Sequence, residues 1–247
     1  MDMSDGKAAE GRLHAVGVGP GAPDLLTLRA VEALRSADVI LAAESPKNGY
    51  SLCLGTVGKF LRPGCAIRRL DFPMSKDKAA LEAAWRAAAA ETAAWLDKGA
   101  SAAFLTVGDP LCYSTFIYLA RELLRQRPES RVEIIPGISS WQAAAAECQL
   151  PLGLGDEILS VVPGTLGNEA LERAFAAPGP LVVIKAYRNF QHIRACLEKA
   201  GRASGSLLVS RVECQGQMIT PLLDFPKDGI PPYMSLILCP AEKDGGI

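Results

Sequence analysis

The sequence predicts an α/β protein of two domains, with a mainly parallel sheet in the N-terminal one and a mixed sheet in the C-terminal one. Three observations predict it. Up to residue 136, short apolar runs alternate with stretches whose apolar residues recur at helical spacing. Beyond that point several runs are separated only by loops, so neighbouring strands can pair antiparallel. A chain of 247 residues, 49% hydrophobic and 21% charged, is long and apolar enough to fill two cores.

The elements follow in order. In the first half the strand-like runs are RLHAVGV (12–18), ADVILAA (37–43), AIRRLDF (66–72), SAAFLTV (101–107) and RVEIIP (131–136). Between them, 24–36, 50–61, 78–99 and 114–126 read as helices. Strand–helix alternation implies right-handed crossovers and a parallel sheet. In the second half, 157–163, 179–187, 205–212, 217–223 and 233–240 read as strands, and 168–177 and 189–200 as helices. The expected domains are 1–136 and 137–247, with a hinge in PGISS at 136–140.

Charge and composition exclude several classes. A formal net charge of -1 argues against nucleic acid or an anionic membrane as partner. No apolar run approaches the roughly 18 residues of a membrane helix. The polar opening MDMSDGKAAEGR has no apolar signal core, which points to the cytoplasm. The seven cysteines are odd in number, scattered and without a C-x-x-C pair, so reduced thiols are expected and no metal site.

Three strand ends carry the functional signal. Gly17, Gly19 and Ala22 fit G-x-G-x-x-A between a strand and a helix, and Glu44 stands where a ribose-binding acid would. A dinucleotide reading is therefore open. Against it, Pro20 lacks one of the N–H groups that hold a pyrophosphate. The second strand end is Gly108-Asp109-Pro110, where a carboxylate could hold an ammonium group or a ribose hydroxyl. Ser114 and Thr115 beyond it could equally cap the next helix. The third is Pro136-Gly137 followed by Ser139 and Ser140. In a parallel α/β sheet ligands gather at the carboxyl ends of strands, so all three would border one crevice. There is no G-x-S-x-G elbow and no histidine cluster. His14 reads as packed in its strand and His192 as exposed on a helix.

Taken together, VGVGPGAPDLLTLRAVEAL, LTVGDPLCYST and VEIIPGISSWQAAA resemble, in order, the signature blocks of the tetrapyrrole methylase family, and the resemblance spans about residues 12–240. It implies the two-domain fold of that family with its active site in the interdomain cleft, S-adenosylmethionine as methyl donor, S-adenosylhomocysteine as product, a tetrapyrrole substrate and a homodimer. DFPMSKDKAALEAAW (71–85), YSTFIYL and VIKAYRNF (183–190) resemble the branch that methylates C20 of precorrin-2 or cobalt-factor II. Val107 and Tyr113-Ser114 depart from the GGDP and Phe-Gly of the uroporphyrinogen methylases. The other readings are a precorrin-4 or uroporphyrinogen III type methyltransferase, an NAD(P) oxidoreductase, or a tetrapyrrole sensor.

Carried over by residue, the resemblance assigns the cofactor to Pro20, Val107, Gly108, Asp109, Cys112, Ser139, Ser140, Ile184, Lys185, Ala186 and Val212. Tyr113, Ser114 and Thr115 would face the tetrapyrrole; the C20 proton must also leave, and Tyr113, Asp109 or water are the candidate bases. By position Lys47, Arg68, Arg69, Lys185 and Arg188 are the cations suited to the substrate's carboxylates, with Lys47 and Arg188 foremost.

Overall fold

A computed structural model describes residues 11–44 and 49–241. The chain divides after Ser139 into two compact units.

The first unit contains β1 (Arg12–Gly17), α1 (Leu28–Ser36), β2 (Val39–Glu44), α2 (Gly49–Val57), β3 (Ala66–Asp71), α3 (Lys78–Leu96), β4 (Ser101–Thr106), α4 (Phe116–Gln126) and β5 (Arg131–Ile135). The strands form one parallel sheet in the order β3-β2-β4-β1-β5. Helices cover both faces, which is why β1 and β4 are nearly continuous apolar runs. Leu13, Ala15, Leu41 and Phe104 pack into one core; Val16, Ile40, Ala103 and Leu105 pack into the other. β3 is an edge strand, exposed at Ile67, Arg68, Arg69 and Asp71 and buried only at Leu70. Helix α3 starts where Asp77 accepts hydrogen bonds from the N–H groups of Ala79 (2.9 Å) and Ala80 (3.4 Å).

The helix expected over 24–36 begins later. Residues Pro23–Leu25 form a 3₁₀ turn, and Thr27, in extended conformation, caps α1 by accepting from Ala30 N–H at 3.2 Å. Leu25 and Leu26 mimic a helical repeat but belong to the loop that leaves the glycine turn. Thr56 of α2 ties that loop down, donating its hydroxyl to the Gly21 carbonyl at 2.8 Å.

The second unit contains α5 (Ser140–Glu147), β6 (Ser160–Pro163), α6 (Asn168–Ala176), β7 (Leu181–Ile184), α7 (Phe190–Lys199), β8 (Leu207–Ser210), β9 (Met218–Pro221) and β10 (Ser235–Cys239). Its sheet runs β6-β7-β10-β8-β9 and is mixed, parallel only between β6 and β7. Phe175, Phe190, Ile193, Leu197 and Leu208 form its core against Val183 and Ile237. The strands are shorter than their apolar runs. Lys185 (φ 56°) ends β7 and Arg211 (φ 51°) ends β8 with left-handed backbone, which no strand continues through. Among the described residues, no helix is long and apolar enough to cross a membrane.

Candidate active site at the strand ends

β4, β1 and β5 are neighbours and parallel, so the three glycine-bearing turns leave the sheet along one edge. They are locked to one another through the backbone. Val18 N–H donates to Thr106 O at 2.9 Å, and Gly108 N–H donates to Gly19 O at 2.8 Å. Gly19 (φ 73°) and Gly108 (φ 74°) form this bridge in a conformation that favours glycine. A Cβ on Gly17 would lie 2.5 Å from Gly137 N and 2.6 Å from Gly108 O, so only glycine lets the three turns meet.

Asp109 closes the lock. One carboxylate oxygen accepts from Leu111 N–H at 2.8 Å, within its own turn, and the other from Gly137 N–H at 3.2 Å, across the sheet edge. The arrangement makes Asp109 a positioning residue for the second and third turns. Asp109→Ala is expected to lower the stability of the ligand-free protein by about 1–3 kcal/mol, the range for removing a partner of buried or charge-assisted bonds. Asp109→Asn, which keeps one accepting oxygen, should fall between. Thermal melting of the two variants checks the order; wild-type melting of Asp109→Ala would rule out this role.

Behind the turn, Ser114 is buried. Its hydroxyl pairs with that of Thr106 at 2.8 Å and accepts from Phe116 N–H at 3.1 Å. It therefore caps α4 from inside the fold, whereas Thr115 makes no side-chain cap bond. Tyr113, between them and the Asp109 turn, has φ 54° and is about half exposed (49%). Ser139 is buried beside Gly108, and Ser140 opens α5.

In the second unit β6, β7 and β8 point the same way, β7 and β8 both pairing antiparallel with β10. Their carboxyl ends thus share an edge, which carries Ile184, Lys185, Ala186 and Val212. Gly164 N–H donates to Ile184 O at 2.7 Å, and a Cβ there would lie 3.3 Å from Ala186 Cα. Arg211 N–H donates to Met234 O at 2.8 Å, and the Glu213 N–H donates to Gln217 Oε1 at 2.6 Å. Gln217 in turn donates to Glu147 at 2.7 Å. Sequence reasoning passed over Gly164, although its Pro163-Gly164 turn has the same strand-end pattern as Pro136-Gly137.

Left-handed backbone concentrates at these edges. Among the described residues, the non-glycine positions with positive φ are Tyr113, Gln149, Lys185, Arg211 and Glu213. Gln149 follows α5 as an ordinary helix-end conformation. Lys185, Arg211 and Glu213 lie just beyond β7 and β8, and Tyr113 lies in the loop between β4 and α4. Strain of this kind costs of order 1–3 kcal/mol per residue and clusters at ligand sites.

The remaining candidates are placed as follows. Lys47 lies outside the described residues. Arg188 is exposed, has no carboxylate partner among the described residues, and donates to Tyr187 Oη at 2.8 Å; Tyr187 packs edge-on against Tyr233 with ring centroids 5.0 Å apart. That hydrogen bond is the main reason the Arg188 pKa is raised. Arg68 sits over the Trp95 ring at 5.4 Å. His14 is buried and has its pKa lowered, chiefly by desolvation. Its Nδ1 lies 3.2 Å from Glu133 Oε2 but without hydrogen-bond alignment. His192, expected on an exposed helix face, is instead half-buried, with Nε2 3.3 Å from Cys196 Sγ. The α7 stripe led by Phe190, Ile193 and Leu197 buries its flank too.

Fold and strand-end architecture define a two-unit α/β protein with three glycine-bearing turns locked together at one edge of its parallel sheet. The chain matches the tetrapyrrole (corrin/porphyrin) methylases over residues 12–221 and belongs to that family. It is 36% identical to the cobalt-precorrin-2 C(20)-methyltransferase of Salmonella typhimurium over 92% of this chain and 95% of that protein. It is also 36% identical to the precorrin-2 C(20)-methyltransferase of a Sinorhizobium species, over 95% of this chain and 97% of that one. The cobalamin biosynthesis protein CobIJ of Mycobacterium tuberculosis is 35% identical over 96% of this chain, which spans only 47% of that longer protein. Among solved structures, a cobalt precorrin-4 methyltransferase superposes with a TM-score of 0.72 at 21% identity, covering 93% of this chain and 94% of the other. The Thermus thermophilus uroporphyrin-III C-methyltransferase, complexed with S-adenosylhomocysteine, gives 0.66 at 24% identity, covering 93% and 97%. Both share the fold.

Proposed function

We propose that the chain transfers the methyl group of S-adenosylmethionine to C20 of precorrin-2 or of its cobalt-containing form, in corrin biosynthesis. The observation that carries this reading is full-length similarity to two C20-methyltransferases at 36% identity. The strand-end chemistry agrees with it.

The residues present suit the donor. Several strand-end N–H groups are already used, those of Val18 and Gly108 by backbone carbonyls and those of Leu111 and Gly137 by Asp109, and Pro20 has no N–H to offer. What is left beside Gly108 is open space, since a Cβ there would have nothing nearer than Ser139 Cα at 3.9 Å. A backbone-lined edge that carries the Asp109 carboxylate fits a cationic sulfonium nucleoside better than an anionic dinucleotide and weighs against the NAD(P) reading. From the first unit we assign the donor to Pro20, Val107, Gly108, Cys112 and Ser139, with Asp109 holding the turns in place. From the second, Ser140, Ile184, Lys185, Ala186 and Val212 are assigned by family resemblance.

S-adenosylmethionine supplies an already activated methyl group. Attack by C20 forms the new carbon–carbon bond, the electron pair of the broken sulfur–carbon bond stays on sulfur, and the C20 proton must leave. The protein's task is then orientation, which can supply about 7–11 kcal/mol in favourable cases. Both Asp109 oxygens accept backbone N–H groups, so Tyr113 is the better placed of the two proposed bases. Lys47, Arg188 and Thr115 are assigned to the substrate, while buried Ser114, bonded to Thr106 and the Phe116 N–H, holds the start of α4. A cytoplasmic homodimer completes the reading, supported by the family resemblance and by exposed Leu154, Ile158 and Ile230.

The test is turnover. With precorrin-2 and with cobalt-factor II supplied separately, one methyl group is expected on the product, and S-adenosylhomocysteine but not NAD(P) should raise the melting temperature. Stabilisation by NADP alone, or methylation at another carbon, would overturn the proposal. Sedimentation at twice the 26.2 kDa monomer mass checks the dimer.

A further inference from the structure

Helices α6 and α7 bring three different metal-binding side chains together on the second unit. Ligand atoms of Glu172, His192 and Cys196 all lie within 4.8 Å of one another. His192 and Cys196 are four residues apart on α7, the spacing that stacks two side chains on one helix face and that helical metal sites use for paired ligands. Glu172 comes from α6. The Nε2–Sγ separation is 3.3 Å. In a tetrahedral zinc site, bond lengths near 2.0 and 2.3 Å put such a pair about 3.5 Å apart. Closing onto an ion thus needs shifts of only a few tenths of an ångström between these two atoms.

We propose that Glu172, His192 and Cys196 form a binding site for a thiophilic divalent transition-metal ion, zinc or cobalt(II), with water as the fourth ligand. The donor set decides the class. A thiolate and an imidazole beside one carboxylate favour zinc or cobalt over magnesium or calcium, which take all-oxygen sets. Binding replaces the Cys196–His192 hydrogen bond with two metal bonds, and the thiol proton leaves to solvent as the sulfur–metal bond forms. Among the described residues, Lys199 brings a cation to the cluster, its Nζ 4.0 Å from Glu172 Oε2; the lysine side chain is mostly exposed and can swing away. The site is independent of the methyl-transfer reading.

Titration of the reduced, full-length protein with cobalt(II) chloride tests this. One ion per chain is expected, with a thiolate-to-cobalt charge-transfer band that Cys196→Ser abolishes. His192→Ala keeps all seven thiols. Its cobalt affinity should fall at least about tenfold, the low end of what disturbing a metal's ligand shell costs. Glu172→Gln should weaken binding as well. Zinc chloride should raise the melting temperature of the wild type and not of His192→Ala, whose half-exposed position guards against misfolding as the explanation. No charge-transfer band in the wild type, or a band of equal strength and affinity in Cys196→Ser and His192→Ala, would overturn the site.

Discussion

Gly17→Ala is expected to force the three strand ends apart and to remove most S-adenosylhomocysteine binding from a destabilised protein. The added methyl group would lie 2.5 Å from Gly137 N, 2.6 Å from Gly108 O and 2.7 Å from Gly137 Cα. All three are backbone atoms, so no side chain can swing aside. Relief requires β1 to separate from both neighbours at the point where Gly17 registers with Thr106. Moving Gly137 also withdraws its N–H from Asp109, so the cross-sheet hydrogen bond goes with the packing. Overpacking of this kind costs typically about 1–3 kcal/mol, occasionally more, and the upper end applies where only backbone can yield. For a chain of this size that corresponds to a fall in melting temperature of roughly 5–10 °C. S-adenosylhomocysteine affinity should drop at least about tenfold, or 1.4 kcal/mol. Gly55→Ala is the control: it lies exposed in α2 with nothing within 4 Å of an added Cβ. It should melt at or above the wild-type temperature, because alanine favours a helix by about 0.5–1 kcal/mol over glycine. Melting and calorimetric titration of the pair decide the matter. Wild-type values for Gly17→Ala would mean that the strand ends do not depend on glycine.

The same contacts explain what could be read from the residues alone. Strands covered on both faces announce themselves, because most of their positions are apolar; β1 and β4 fall within RLHAVGV and SAAFLTV for that reason. The strand-end turns were legible through their glycines and prolines, which mark sharp bends wherever they occur. The strands of the second sheet were overextended because Lys185 and Arg211 end them by backbone conformation. A lysine or arginine in left-handed geometry leaves no trace in composition, unlike a glycine or asparagine. The role of Asp109 was half visible. A bond to its own turn follows from Asp-Pro chemistry, and Leu111 N–H makes it. The bond to Gly137, 28 residues away, exists only once β1 has drawn β4 and β5 to its two sides. The Glu172–His192–Cys196 group escaped for the same reason. A search for C-x-x-C or paired histidines does not register a helix that supplies one of each and a neighbour that supplies the carboxylate.

Gly108→Val should abolish donor binding while leaving a folded protein, and comparison with Gly108→Ala separates the two causes. Gly108 has φ 74° and its N–H is held by Gly19 O at 2.8 Å, so the turn cannot relax without breaking the bridge. Any Cβ there carries a left-handed penalty of roughly 1–2 kcal/mol. Alanine and valine share that penalty, with a further increment for the β-branched side chain. Space separates them next. An added Cβ meets no protein atom nearer than Ser139 Cα at 3.9 Å, which is ordinary contact. The two γ-methyl groups of valine must therefore project into the open region beside the strand ends, where the adenosyl donor is proposed to lie. With the donor at that edge, both variants lose apo stability, valine somewhat more, but affinity for S-adenosylhomocysteine falls steeply only with valine, by at least about 100-fold or 2.8 kcal/mol. Calorimetric titration on variants shown to be folded by circular dichroism gives the answer. Equal, modest losses for alanine and valine would make Gly108 a purely conformational glycine. Wild-type affinity in the valine variant would move the donor away from this edge of the sheet.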